Sequence, residues 1–444
     1  MKQLTFKGGL HPHDHKEHTM NKPIETLEAS KIMVFPLCQH IGSPAQPAVN
    51  VGDYVKRGQL IGENATSFSL PVHSSVSGTV LKIEQRLAPN GTRVNSIIIE
   101  NDFKYETDED FHPYDNWEQL TNNEMLEILK KTGIVGLGGA GFPSHIKLCP
   151  PKDKKIHSFI INGAECEPYL TSDYRLMLET PDDILKGAEI IRKLVGAEKI
   201  YIGIENNKPE AIKVMKQYSN QHKNTEVVTL KTKYPQGSEK HLIYSILKKE
   251  VPTRKIPADV GCVVDNVDTC VAVYKAITRR KPVLSRVVTV AGSCVKNPKN
   301  LRVQVGTSIN DILSYCDTDF EKVKKIIAGG PMMGFALSGT DIPTVKTTSA
   351  ILAFGDEELK EVNKEKTSCI RCSKCVYKCP MRLMPLQLAA SAKLGDYEMC
   401  RKLNIFDCIE CGICSYYCQA DTNPLQYIKV AKKQMQELER KPEK

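Results

Sequence analysis

No apolar run in the 444 residues approaches the ~20 needed to cross a bilayer, which excludes a helical membrane span. The first residues, Met1 to Lys7, lead into glycines and histidines rather than an apolar signal core, so the expectation is a soluble, intracellular protein. With one tryptophan and 6% aromatics, no stripe of Lys/Arg interleaved with rings is present, and nucleic acid is not an expected partner. The balance of 61 basic against 52 acidic residues, net +9, is modest for this length. It permits steering toward an acidic protein or an anionic membrane face and demands neither. The length suffices for three or more domains, and 41% hydrophobic content for ordinary cores.

Cysteine, by contrast, is abundant and patterned. Cys369, Cys372, Cys375 and Cys379 are followed by Pro380, and Cys408, Cys411, Cys414 and Cys418 repeat the same C-x-x-C-x-x-C-x-x-x-C spacing 39 residues later. Three thiolates at intervals of three wrap one [4Fe–4S] cubane, while the fourth lies too far along to close it and reaches the twin. The expected ligand sets are Cys369, Cys372, Cys375 and Cys418 for one cluster, and Cys408, Cys411, Cys414 and Cys379 for the other. A tetrahedral zinc ribbon is the plain alternative, but two C-x-x-C pairs would leave the extra cysteines unexplained. Pro385-Leu386-Gln387 and Pro424-Leu425-Gln426 extend the repeat, predicting helices over Leu386–Lys393 and Leu425–Leu438 and a pseudo-two-fold. The other eight cysteines (Cys38, Cys149, Cys166, Cys262, Cys270, Cys294, Cys316, Cys400) are scattered in apolar stretches and read as reduced, mostly buried thiols.

Ahead of this C-terminal unit, residues 366–444, four segments are distinguishable. Residues 1–30 carry His11, His13, His15 and His18 beside Gly8-Gly9, dense enough for a metal but more simply a polar segment. Short glycine-punctuated strands within 31–105 predict a small β-sandwich of hammerhead type, similar to the biotinyl/lipoyl carrier domain. Its hairpin, His73-Ser74-Ser75-Val76-Ser77, lacks a carrier lysine, so a scaffold is expected there. Over 115–283, helices (Asn122–Lys131, Pro181–Leu194, Pro209–Tyr218, Ser238–Lys249) alternate with apolar strands (His157–Ile161, Lys199–Ile204, Glu226–Leu230), predicting a doubly wound parallel α/β sheet. A small α+β unit over 286–350, with a strand Val287–Ala291 and a helix Ser308–Tyr315, then leads through a charged linker, Asp356–Lys366, into the cysteines.

Gly133 to Pro143 holds the densest glycines. Gly136-x-Gly138-x-x-Gly141 matches the dinucleotide fingerprint literally, yet a helix rather than a strand precedes it, and the standard Rossmann reading fails on context. Bare backbone that can approach a phosphate, with Lys147 nearby, is one reading; a packing turn is the other. After the strand Phe159–Ile161 comes Asn162-Gly163-Ala164-Glu165-Cys166-Glu167-Pro168. Carboxylates at a strand's carboxyl end suit a nucleotide ribose, and NADH over NADPH, unless the loop is merely a solvated acidic one.

These motifs, with Tyr234-Pro235-Gln236-Gly237-Ser238-Glu239 and Asn266-Val267-Asp268-Thr269, recur in order in the NADH-binding flavoprotein subunit of respiratory complex I. With Phe6-Lys7-Gly8-Gly9-Leu10-His11-Pro12 in front and the twin cysteine runs behind, nearly the whole chain resembles the C subunits of Rnf ion-translocating electron-transport complexes. The resemblance implies a barrel-sandwich hybrid, a Rossmann-like FMN/NADH domain, a β-grasp (soluble-ligand-binding) domain and a helical two-cluster ferredoxin domain. It places Gly136, Gly138, Gly139, Gly141, Lys147, Asn162, Glu165, Asn266 and Thr269 at FMN, and Phe142, Glu167 and Glu239 at NADH. This chain departs from the complex I pattern at Leu137, Ala164 and Ser238, where arginine, aspartate and glutamate stand.

The resemblance further implies an NADH-dependent flavin and iron–sulfur oxidoreductase, peripheral on the cytoplasmic side of the membrane. Its partners would be other Rnf subunits, an iron–sulfur subunit and membrane-spanning ones among them, with ferredoxin reached indirectly and ion transport coupled. FMN converts hydride pairs to the single electrons that clusters accept. Two rivals are a soluble cobalamin reductase of the same family and a non-catalytic scaffold wiring clusters between partners.

Overall fold

The computed structural model describes residues 4–66, 68–109, 113–114, 116–359 and 367–440. The glycine-punctuated segment forms two facing sheets, Ile32–Pro36, Arg93–Asn101, Gly78–Leu87 and Tyr54–Val55 in one, and Gln46–Pro47, Leu60–Glu63 and Val72–His73 in the other. Alternation turns Met33, Phe35, Ile97 and Ile99 inward to a shared core. At the hairpin tip Ser74, Ser75 and Ser77 are fully buried, and the Ser75 hydroxyl donates to the Val305 carbonyl. The position where a carrier would hold out its lysine is therefore an internal contact.

Four parallel strands follow, in the order Thr225–Leu230, Lys199–Glu205, Ser158–Gly163, Cys262–Asn266. Both faces are covered, which is why the strands read as unbroken apolar runs. Phe159, Ile161, Ile202 and Ile204 pack beneath the Pro181–Val195 and Pro209–Ser219 helices, while Ile160 and Val264 meet Leu242 and Ile243 on the other face. The Cys262–Asn266 strand and the Val267–Arg279 helix were not expected from periodicity; the strand has only five residues, three of them non-aliphatic.

The third unit is a six-stranded mixed sheet, ordered Ile24–Thr26, Lys299–Gln304, Ser285–Ala291, Ala350–Phe354, Lys325–Ala328, Phe335–Leu337. It extends to Phe354 rather than closing at 350, and it recruits an edge strand from the N-terminal segment. That segment is a strap. Leu4 bridges Leu230, Leu10 and Tyr234 exchange both backbone hydrogen bonds at 2.8 Å, and the Gly9 N–H donates to the Lys378 carbonyl. The charged linker begins as one helical turn, Asp356–Leu359, and the rest of it lies outside the described residues.

Lys346 ties these units together. It is 4% exposed, and its ammonium donates to the Gly133 carbonyl at 2.8 Å and the Pro71 carbonyl at 3.1 Å. Burial lowers its pKa from the ordinary 10.5 to about 7. Between those values the unfolded chain binds more protons than the native one. The penalty of a buried charge is thus full below pH 7 and is relieved as pH rises toward 10.5, at up to ~1.4 kcal/mol per pH unit. The parent protein should gain stability relative to Lys346→Met between pH 7 and pH 9. A pH-independent difference in melting temperature would contradict the assignment.

The C-terminal unit repeats itself in the backbone as in the sequence. Left-handed residues recur at the same offset of 39: Arg371 and Glu410 (φ 53° and 59°), Ser373 and Gly412 (57° and 80°), Arg382 and Asp421 (55° and 44°). Helices Lys374–Lys378 and Pro385–Lys393 correspond to Ile413–Tyr416 and Pro424–Arg440. The last runs past the expected Leu438.

Candidate functional site

The glycine loop is a hairpin. Val135 pairs with Pro143, the Gly136 N–H donates to the Phe142 carbonyl at 2.9 Å and the Gly141 N–H to the Gly136 carbonyl at 3.2 Å. At its tip Gly138, Gly139 and Ala140 are exposed, and among the described residues no protein acceptor takes their three N–H groups. Gly139 has φ +113° with open space where a Cβ would stand, and a Cβ on Gly138 would lie 3.1 Å from Asn266 Cβ. Such a run of bare N–H groups is a concavity suited to an anion.

The hairpin rests on the carboxyl ends of the two adjacent strands, where open parallel sheets bind ligands. The Leu137 N–H donates to Thr269 Oγ1 at 2.9 Å, and the buried Arg286 guanidinium donates to the Leu137 carbonyl at 2.9 Å and to Asp268 at 2.6 Å. Asn266 caps the helix that follows by accepting from the Asp268 N–H, and its amide donates to Asp173 at 2.6 Å. Asn162 donates to the Gly237 carbonyl at 2.7 Å, holding the Gly237-Ser238-Glu239 turn against the same strand end. Gly136, Gly138, Asn162, Asn266 and Thr269 are thus brought to one strand end, through bonds to the residues around them.

Lys147 enters from beneath, 3.1 Å from Glu239 and 3.9 Å from Asp265. Burial alone would lower its pKa, but the Asp265 and Glu239 carboxylates outweigh burial, and the ammonium is held charged. Asp265 is itself buried and its pKa is raised by desolvation, with one oxygen lacking any partner. Sequence reading missed it, although an acidic residue closing the apolar run Cys262-Val263-Val264 was a signal.

Two of the carboxylates expected at the nucleotides have partners within the protein. Glu165 presents no free carboxylate: it accepts from the Asp173 and Tyr174 N–H groups and the Ser172 hydroxyl, capping the Ser172–Glu179 helix, with Lys16 at 3.9 Å. Its charge, after burial, raises the pKa of Asp173. Glu167, expected at the nucleotide, is taken up by the six-stranded unit, accepting from the Met332 N–H at 3.0 Å. Burial raises its pKa to about 7. Both carboxylates are used to hold loops because a buried charge needs donors, and backbone amides were nearest.

The cysteines fall into two groups. Cys408, Cys411, Cys414 and Cys379 line one cavity with apolar walls from Leu383, Leu388, Ile413 and Ile428, and their thiols are close enough to perturb one another. Cys375 feels Cys372, Cys418 and Cys369 instead. The crossing of the fourth cysteine is therefore present in the geometry. Burial raises Cys411 and Cys414 to about 12, so thiolates there require the positive charge of a metal centre. Backbone N–H groups already aim at sulfur: Arg371 to Cys369, Leu383 to Cys379 and Thr422 to Cys418, each at 3.4 Å. The Cys379 group is internal, with the Tyr234 hydroxyl donating to the Cys411 carbonyl at 2.8 Å and His241 Nε2 donating to the Pro380 carbonyl at 3.2 Å. The other group is superficial, with Cys369 and Cys372 exposed.

Three of the N-terminal histidines make specific contacts. Ligand atoms of His13, His15 and Glu17 lie within 4.8 Å of one another, His15 stacks on Tyr169, and His11 bonds the Thr232 carbonyl.

Among known families, the Nuo51 FMN-binding domain matches residues 129–275, the RnfC barrel sandwich hybrid domain 4–104 and the SLBB domain 287–336. The C subunit of the proton-translocating ferredoxin:NAD(+) oxidoreductase complex of Clostridium ljungdahlii is 45% identical, the alignment covering 91% of this chain and 88% of that protein. The C subunit of the Na(+)-translocating ferredoxin:NAD(+) oxidoreductase complex of Acetobacterium woodii is 40% identical over 92% and 91%. The C subunit of the ion-translocating oxidoreductase complex of Rhodobacter capsulatus is 37% identical over 91% and 78%. With relatives this similar aligned along almost its entire length, the chain belongs to the family of C subunits of Rnf-type ion-translocating oxidoreductase complexes.

Proposed function

We propose that this chain is the component that exchanges electrons between a nicotinamide nucleotide and the rest of an ion-translocating ferredoxin:NAD⁺ oxidoreductase complex. The observation that carries this reading is the presence, in one chain, of a bare glycine hairpin over a parallel-sheet switch and two convergent four-cysteine groups. The parallel sheet is read as Rossmann-like, the six-stranded sheet as β-grasp and the C-terminal unit as a two-cluster ferredoxin.

The N–H groups of Gly138, Gly139 and Ala140 would hold the FMN phosphate, with Lys147 adding charge; Thr269 and Asn266 lie against the hairpin that presents them, and Asn162 holds the Gly237 turn. Glu239, half-buried and paired with Lys147 at 3.1 Å, and Phe142 border the face left for NADH, and a carboxylate there prefers a free ribose hydroxyl to a 2′-phosphate. FMN, when bound, supplies the exchange between hydride pairs and single electrons. The chain's own contribution is binding, orientation and electrostatics rather than acid–base chemistry.

The internal Cys379 group joins the nucleotide domain, and the superficial Cys369 group faces outward beside Ile370 and Tyr377, 61% and 80% exposed. That outer face suits docking of an iron–sulfur partner protein. Among the described residues no helix is long and apolar enough to cross a membrane. Membrane attachment on the cytoplasmic side would come from spanning partners.

Anaerobically purified protein is expected to hold about eight iron and eight sulfide atoms, four thiolates serving each cubane, together with one FMN. Zinc in place of iron, or iron without flavin, would overturn the reading.

A further inference from the structure

A second cavity, of about 630 Å³, lies where the barrel, the parallel-sheet unit, the six-stranded unit and the N-terminal strap meet. Four cations line it, one or more from each folded unit: Arg57 from the barrel, Lys275 from the Val267–Arg279 helix, Lys281 from the connection after that helix, and Arg302 from the Lys299–Gln304 strand. Two carboxylates, Glu28 and Asp268, share the lining, but Asp268 is already engaged by Arg286 at 2.6 Å. Lys275 has Asp183 at 3.7 Å. Among the described residues Arg57, Lys281 and Arg302 have no carboxylate within 4.0 Å.

Like charges held together in a partly desolvated space repel, and the two carboxylates of the lining offset only part of this. Burial, and then the fields of Arg57, Lys275, Arg279 and Arg302, lower the pKa of Lys281 to about 8. Two polar atoms of the lining are buried without a partner, Arg57 Nε and Gln304 Oε1. Buried polar atoms are seldom left without a partner, be it protein, water or ligand, and these two face the cavity. The remaining wall is apolar, from Leu27, Val271, Ala272, Val283 and Leu284, and the Tyr105 ring lies 5.7 Å from the Arg57 guanidinium. The volume falls in the range of small-molecule sites, roughly 300–1,000 Å³, and exceeds what a bare phosphate needs.

We propose that this cavity is a second nucleotide site, separate from the glycine hairpin. It takes a nucleoside di- or triphosphate, with the phosphates on Arg57, Lys281 and Arg302 and the nucleoside against the apolar wall. Leu137 belongs to both places: its side chain lines the cavity, and its N–H and C=O anchor the hairpin to Thr269 and Arg286.

The test is calorimetric titration of ATP into the flavin- and cluster-loaded full chain, with saturating NADH present to occupy the first site. One ATP site is expected to persist under NADH, and ATP should bind more tightly than pyrophosphate. The Lys281→Met/Arg302→Gln double variant should bind ATP roughly a hundredfold more weakly, two charge-assisted contacts being lost. The charge-preserving Lys281→Arg/Arg302→Lys variant, which controls for folding, should stay within a few-fold of the parent. Complete displacement of ATP by NADH, parental affinity in the neutral double variant, or equal affinity for pyrophosphate and ATP would each overturn the proposal.

Discussion

Gly139→Val is expected to strip the flavin from the protein while leaving iron and sulfide intact. Gly139 has φ +113°, a conformation that a β-branched residue adopts only under strain of about 1–3 kcal/mol. No heavy atom lies within 4 Å of the added Cβ, so the variant should fold, relieving the strain by twisting the hairpin tip rather than by clashing with the core. The three free N–H groups of 138–140 then lose their common aim. Hydrogen bonds to a charged phosphate contribute about 1.5–3 kcal/mol each. Losing two of them weakens FMN by a hundredfold or more, which removes it during purification. The cysteine cavities are built from other elements, so iron should remain near the parental value. A variant that kept its flavin would show that the hairpin does not hold the phosphate.

Cys379→Ser should remove one cluster and spare the other. Cys379 lines the cavity of Cys408, Cys411 and Cys414, although it follows Cys369, Cys372 and Cys375 in sequence. Iron should fall from about eight to about four atoms per chain, one cubane's complement. The electron paramagnetic resonance signal that survives should be the one abolished separately by Cys375→Ser. Survival of the signal that Cys375→Ser leaves intact would refute the crossed ligand sets.

The grouping of the eight patterned cysteines was legible because their spacing and the 39-residue repeat are local features of the chain. Exposed Gly138 and Gly139 were legible as a bare loop for a related reason: a glycine-dense turn leaves a compositional trace. Glu165 and Glu167 were not. A carboxylate after a strand can face a ligand or turn inward to amides, and the choice depends on donors distant in sequence, the Ser172–Glu179 helix and the turn at Met332. The three-residue edge strand Ile24–Thr26 is too short to carry a period, and its partner lies more than 270 residues away. The burial of the Ser74–Ser77 hairpin likewise rests on a tertiary contact, with Val305, although the missing lysine already argued against a carrier.

On the proposed function, nicotinamide nucleotide, flavin and two cysteine-bound clusters communicate within this one chain. Anaerobic titration of the purified protein with NADH, followed by visible absorption and electron paramagnetic resonance, tests it directly. Such communication produces bleaching of the flavin band together with the appearance of reduced [4Fe–4S] signals, both lost from Gly139→Val. A protein carrying flavin and about eight irons whose spectra NADH leaves unchanged would contradict it.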